Sequence, residues 1–531
     1  MTVQTRRGGS FLLGEKTTRW LIRLALVAMS AVLSLAFPAP GLWWLGWLGL
    51  APVIALLAWS PSRAEAMKRS WFAGVGYLTA LHYWVIPHTG IFTIVLAAFV
   101  GIFWVPFGLV SWWGLGRDAP LTRRPAALLV VPSVWVVIES VRSWEYLGGT
   151  WGLLGLSQWY APLLLQLAAL GGVWLLSFVM VSANTAIAVA ILPGRSALQR
   201  MAYVGVAAAL PVLLAIYGVV RPEPDISGTA VVAGVQPGVF DSAQDRLDAH
   251  FEETQSLERS DHDFVVWGQT SVAFDPSQDA EVDARLRDTA DAVGSDLFVN
   301  IDAQTEDGIV KTTVQYTPEG PVAEYGKQRL VPFGEYIPLR PLLGWVSDYT
   351  EAAVEDRARG QEPTAMESSG VTLGPLISYE STFPDMRRAL ALLDVELTVV
   401  QGGTQTFQGT WAQPQQASYE AVNAVASGRP AILVAVSGVS AAFDARGELL
   451  AWYPANWTGS FVVDIPLSQE ETVYVRFGDW VVWLSVALVF VAIISSVRGR
   501  TSSSQRESRR IQWRKTPKEP YGSSASRQTA R

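Results

Sequence analysis

The sequence predicts two architectures in one chain: a polytopic α-helical membrane bundle of about eight spans, and a layered α/β domain placed before the last of them. Three observations lead there. Half of the residues are hydrophobic, only 16% are charged and 23 are tryptophan, a balance that a soluble protein of 531 residues does not keep in solution. The apolar residues gather in the first two fifths and in one late segment, while the stretch from Arg221 to Phe477 has the mixed polarity of a globular domain. Within that stretch, short β-rich runs alternate with helical patterns.

A hydrocarbon core about 30 Å thick needs roughly 20 apolar residues per helix. Seven such runs precede the domain, near Trp20 to Phe37, Leu42 to Trp59, Trp71 to Ile86, Ile91 to Trp113, Ala126 to Val141, Pro162 to Leu192 and Met201 to Val219. The eighth, Trp480 to Val497, follows it. Lys and Arg alternate between the short loops: Arg6, Arg7 and Lys16 at the N-terminus, then Arg63, Lys68 and Arg69, then Arg117, Arg123 and Arg124, then Arg195 and Arg200. The loops between these are almost free of them. Retention of basic loops on the cytoplasmic side predicts both termini inside and the α/β domain on the outer face of the membrane.

The expected divisions are therefore a cytoplasmic N-terminus (1–19), a seven-span membrane domain (20–220), an extracytoplasmic domain (221–477), an eighth span (478–497) and a cytoplasmic tail (498–531). The first run is also compatible with a cleaved signal peptide ending near Phe37-Pro38-Ala39-Pro40, although it is long enough to span and the charge alternation works with it retained. The tail is rich in Ser, Arg and Lys and is expected to be disordered, either solvated or in contact with anionic headgroups.

In the outer domain, strands are expected at Thr229 to Val235, Asp263 to Trp267, Leu297 to Ile301, Thr372 to Ile377, Leu397 to Val400 and Ala431 to Val436. Chemistry in layered α/β folds sits on the loops after strand ends. Three segments of interest fall there: Val265-Val266-Trp267-Gly268-Gln269-Thr270, the long stretch Tyr325 to Pro338, and the turn Ser378-Tyr379-Glu380.

The pattern Lys-x-x-Leu-Val-Pro-Phe-Gly-Glu-Tyr-x-Pro from Lys327 to Pro338, together with the other two segments and a polytopic half, resembles the apolipoprotein N-acyltransferase family of the nitrilase superfamily. Trp135, Glu139, Arg142 and Gly148 to Gly155 look like the family's transmembrane signature, and the resemblance runs from about Trp20 to Val497. It implies a nitrilase-like αββα sandwich. It also implies transfer of a phospholipid acyl chain to the N-terminal amine of an apolipoprotein through a Glu-Lys-Cys triad, with no cofactor, no metal and no nucleic-acid partner. By position, Lys327 is the oxyanion lysine, Glu335 its orienting partner, and Tyr379 and Glu380 the pair after the nucleophile. Gln269 stands at the base position and Ser378 at the nucleophile position, and the chain contains no cysteine.

Neither replacement is chemically neutral. An amide neither gains nor loses a proton near neutral pH, so Gln269 cannot act as base. A thiol titrates near 8.5 and is partly thiolate at about pH 7, whereas a serine hydroxyl needs a base to become a nucleophile. Family members usually carry Ser-Asn-Asp-x-Trp-Phe and Arg-Ala-x-Glu further on, where this chain reads Gln401-Gly402-Gly403-Thr404-Gln405-Thr406-Phe407 and Asn423-Ala424-Val425-Ala426.

Plainer roles stand beside these. Lys327 and Glu335 also suit an ordinary loop ion pair, Ser378 a tight strand-to-helix turn, and His82 a contact between membrane helices. Trp345, Phe407 and Trp411 suit either headgroup anchoring or a core, and Leu339 to Trp345 is the candidate for the family's mobile arm.

Two functions follow: an impaired acyltransferase, with Ser378 forming an oxyester and Lys327 as its base, or a membrane scaffold without turnover. In actinobacteria, proteins resembling this family are associated with polyprenol-phosphate mannose synthase, so a membrane-associated glycosyltransferase is a candidate partner of the scaffold. A soluble amidase would share the fold but not the spans.

Overall fold

The computed structural model describes residues 14–258, 260–348, 353 and 355–496. Arg6, Arg7 and the tail from Arg498 lie outside the described residues. All eight predicted runs fall on helices. Five of these, Glu15–Ala36, Phe92–Leu115, Arg123–Arg142, Ala168–Ile191 and Ala197–Val220, are long and apolar enough to cross a membrane. Leu45–Ala58 and Trp480–Ser496 are apolar but shorter. Arg63–Leu81 carries Arg63, Glu65, Lys68 and Arg69 in its first two turns, and its start is fixed by the Ser62 hydroxyl accepting from the Glu65 N–H. Ser196 and Gln199 form a capping box that starts Ala197–Val220. The sixth run is broken: Pro162–Leu165 is a separate short helix, and Gly171 and Gly172 leave the helical region inside Ala168–Ile191.

The α/β domain has two six-stranded sheets. The first contains β1 (Ile226–Gln236), β2 (Phe264–Trp267), β3 (Asp296–Thr305), β4 (Gly308–Thr317), β5 (Gly320–Gly326) and the late β12 (Gly459–Ser468), in the order β12-β1-β2-β3-β4-β5. The second contains β6 (Met366–Ser368), β7 (Val371–Ile377), β8 (Leu397–Gly402), β9 (Ala431–Ala435), β10 (Ser440–Phe443) and β11 (Leu449–Tyr453), in the order β11-β10-β9-β8-β7-β6. In each sheet three inner strands are parallel, β1-β2-β3 and β7-β8-β9, and antiparallel strands complete the edges. The six strands expected from sequence are these six inner ones.

Hydrophobic residues of the two inner faces form one core, with Val232, Phe264 and Phe298 from the first sheet against Leu373, Val399 and Ile432 from the second. Helices Ala243–Gln255 and Ala280–Val293 cover the outer face of the first sheet. Helices Pro384–Ala391 and Ala412–Ser427 cover the second, completing an αββα sandwich. That last layer does not face solvent. Its apolar residues, with Val400 and Leu433 behind them, belong to the same continuous core as the membrane helices. In Ala412–Ser427 every residue except Pro414 is buried, because the helix lies between the second sheet and Ala168–Ile191.

Between the two helices of this covered layer, Arg387 and Glu420 form an ion pair in which neither side chain is more than 1% exposed. Removing one partner leaves an isolated buried charge, so Arg387→Ala or Glu420→Ala should each destabilise the protein by about 3–5 kcal/mol. The double substitution Arg387→Met with Glu420→Leu should recover most of that loss. Thermal unfolding of the purified protein in detergent checks both outcomes.

Candidate active site

Loops from the ends of β2, β5, β7 and β8 meet on one side of the sandwich, and a buried carboxylate joins two of them. Glu380, fully buried, accepts from the Gln328 N–H at 2.5 Å and the Arg329 N–H at 2.9 Å, both just past β5. It also accepts from the Ile377 N–H at 2.9 Å, at the end of β7, and from the Tyr325 hydroxyl at 3.0 Å. Burial raises the Glu380 carboxyl above its ordinary value, while the Lys327 ammonium and the three backbone N–H donors pull against it. Burial and the facing Glu380 charge push the Tyr325 hydroxyl well up, so it stays the donor of the pair.

Lys327 directly precedes the Gln328 and Arg329 donors and is itself fully buried. Its Nζ donates to Glu335 Oε1 at 2.8 Å, and the other oxygen of Glu335 accepts from the Val331 N–H at 2.9 Å. The Pro-Phe-Gly segment turns the chain back so that Glu335 reaches the lysine eight residues earlier, with Phe333 at a positive φ of 64°. Ser378 begins the turn after β7 with φ of 52°, a region that a residue with a side chain rarely occupies, and it is 8% exposed. Its hydroxyl has no hydrogen-bond partner among the described residues.

Gln269 is half-buried at the end of β2. Its backbone N–H donates to the Gly402 carbonyl at 2.9 Å, and Gly403 lies close enough that a Cβ there would stand 3.3 Å from Gln269 Oε1. The structure thus joins Lys327 to Glu335 and the Lys327 loop to Ser378 through Glu380. No hydrogen bond links the Gln269 side chain to Lys327 or Ser378 among the described residues.

Two buried polar groups outside the expected site residues support this arrangement. Gln401, at the end of β8, donates to the Trp267 carbonyl at 2.9 Å and accepts from the Thr313 hydroxyl at 2.5 Å, which ties the two sheets together below the site. Lys311, on β4, donates to Asp302 at 2.7 Å and to the hydroxyl of Thr270, the neighbour of Gln269, at 3.0 Å. A lysine in the middle of an otherwise buried strand was the signal available for it.

The membrane half closes the site from below. Glu139 accepts from the Leu154 N–H at 2.7 Å, and Arg142 donates to the Trp151 carbonyl at 2.7 Å, so one helix end folds the Gly148 to Gly155 loop onto itself. That loop meets the sandwich. The Thr150 hydroxyl reaches Thr382 at 2.7 Å, and the Trp151 indole donates to Gln415 at 2.7 Å. The Tyr379 hydroxyl packs over Gly149, where a Cβ would lie 1.9 Å from it and where φ is 67°, so only glycine fits.

Aromatic residues of the outer loops sit on the helix ends rather than apart from them. Phe407 packs edge-on against Trp84 with centroids 4.6 Å apart, and Trp411 against Tyr83 at 5.1 Å. In the expected arm, Leu339 and Leu342 are about 70% exposed, and Trp345 contacts Phe92 of the membrane half at 5.4 Å. Arg359 anchors the return of this stretch by donating to Glu145 at 2.9 Å.

Comparison with known proteins matches both halves. The family model described as the apolipoprotein N-acyltransferase N-terminal domain matches residues 29–186, and the carbon-nitrogen hydrolase model matches residues 264–474. An apolipoprotein N-acyltransferase of Azotobacter vinelandii is 30% identical over 87% of this chain and 94% of its own length. One of Geobacter metallireducens is 26% identical over 90% of this chain and 96% of its own. Among solved structures, an amidase from Nesterenkonia sp. aligns over 48% of this chain and 95% of that one, at 19% identity and a TM-score of 0.34. Agreement with full-length relatives from the first membrane helix to the last strand means that this chain belongs to the apolipoprotein N-acyltransferase family, within the nitrilase superfamily.

Proposed function

We propose that the protein keeps the family's site for a phospholipid acyl donor and an apolipoprotein N-terminus, but that acyl transfer through it is impaired. In this reading it is a multi-pass plasma-membrane protein with both termini cytoplasmic and the sandwich on the outer face, as the alternating basic loops favour. The residues in the triad positions are Gln269, Lys327 and Ser378, with Glu335, Tyr379 and Glu380 in support.

One observation carries the impairment: both carboxylates that hold the Lys327 loop are already in use. Glu335 holds the Lys327 ammonium with one oxygen and a backbone N–H with the other. Glu380 accepts four hydrogen bonds. Neither is free to replace the glutamate missing at position 269, and the amide of Gln269 cannot take a proton from Ser378. Using Lys327 as the base instead would break its contact with Glu335 and remove the cation that stabilises the oxyanion. The left-handed backbone at Ser378 favours a retained pocket, because strain of this kind persists only where the surrounding structure holds it. A binding role without turnover follows from the same two facts.

Intact-mass analysis of the purified protein with phospholipid should show no acyl adduct, and the variant Gln269→Glu with Ser378→Cys should gain one acyl-chain increment. An adduct on the unaltered protein that disappears in Ser378→Ala would establish a serine nucleophile and defeat the proposal. Silence from both proteins would mean that the lipid pocket has drifted as well, leaving a scaffold.

In the restored background, Lys327→Met should slow adduct formation by about 10²–10³-fold, the usual cost of removing one oxyanion donor. A time course of the mass increment measures it, and an unchanged rate would remove Lys327 from the oxyanion role.

A further inference from the structure

A pocket of about 350 Å³ opens at the end of the bundle away from the sandwich. Helix Arg123–Arg142 shows the separation: Arg142 lies beside the site loop, while Arg124 lines this pocket after about 27 Å of helical rise. The walls are the C-terminal ends of three membrane helices and the start of Arg123–Arg142, and the pocket carries Arg117, Arg124 and Arg195 with no acidic residue among its lining.

One of these arginines lacks the partners that a buried arginine needs. Arg124 is only 9% exposed, makes no hydrogen bond or ion pair among the described residues, and has its Nε wholly shielded from solvent. The Nε of Arg195 is shielded and unpartnered too, and this side chain's one hydrogen bond runs to the neighbouring Pro193 carbonyl at 3.2 Å. Burial lowers the Arg195 guanidinium below its usual range, and the facing Arg124 lowers it further. Arg117 stacks over Trp59 at 4.6 Å. Asp118, the acidic residue next to it in sequence, is exposed and pairs with none of the three. At the same end of the bundle Arg23 and Arg69 share Glu65, so a carboxylate partner is the local pattern and its absence here is specific.

We propose that this pocket is an anion site for a phosphate group, held by the guanidinium groups of Arg124 and Arg195, with Arg117 fixed on Trp59 at its rim. Two planar forks facing one cavity suit the several oxygens of a phosphate, and filling the cavity relieves the repulsion between them. The group belongs either to an anionic phospholipid headgroup or to free phosphate. The basic loops crowd this face, and bundle ends are where headgroups sit.

The test uses the full-length protein in detergent, titrated with phosphatidylglycerol or phosphatidylcholine under native mass spectrometry, and with inorganic phosphate in a thermal-shift assay. Retention of one phosphatidylglycerol in preference to phosphatidylcholine, weakened about tenfold by Arg195→Gln, assigns the site to a lipid headgroup. Saturable stabilisation by inorganic phosphate that Arg195→Gln removes assigns it to the free anion. Arg195 is half-exposed, so its substitution serves even if Arg124→Gln fails to fold. Affinities unchanged in Arg195→Gln for both probes, or an equal loss in Lys68→Gln on the same face, would overturn the proposal.

Discussion

A carboxylate with no exposure to water must be surrounded by donors, and at Glu380 that requirement organises the whole site. Its four donors come from the ends of β5 and β7, which belong to different sheets. Satisfying one charge therefore sets how the sheets meet at this end, where Lys327 sits and how the backbone bends at Ser378. Gln401 does the same from the β8 side with neutral hydrogen bonds. The frame is independent of whether a nucleophile is present, which explains how a chain without cysteine keeps the architecture of a catalytic loop cluster.

The second constraint is the continuous core between sandwich and membrane. Helix Ala412–Ser427 is buried by its own sheet on one side and by Ala168–Ile191 on the other, so the outer domain is one side of the bundle's packing rather than a body on a tether. The Trp345–Phe92 contact adds another meeting of the two halves, a few residues from the exposed Leu339 and Leu342.

The inner strands were legible from sequence for a physical reason. Parallel strands covered on both faces read as unbroken apolar runs, as in Phe264–Trp267 and Ala431–Ala435. The antiparallel strands carry polar residues whose partners are distant, such as Lys311, Thr313 and Gln315 on β4, which hid a strand that is almost entirely buried. β12 does alternate, with Phe461, Val463 and Ile465 inward, and that period was available but unread. In the site, Lys327, Glu335 and the Ser378 turn were visible because they lie within short motifs. Gln401 acts across a long sequence separation, on Trp267 and Thr313, and its local sequence does not show that role.

The fit of Tyr379 over Gly149 bears on how such a protein changes with time. A side chain from the turn after β7 occupies the space of a missing side chain in a membrane loop, so Gly149 cannot gain a side chain while Tyr379 is in place. A change at Gly149 has to be answered in the α/β domain, so the two halves of the chain constrain each other across this one contact.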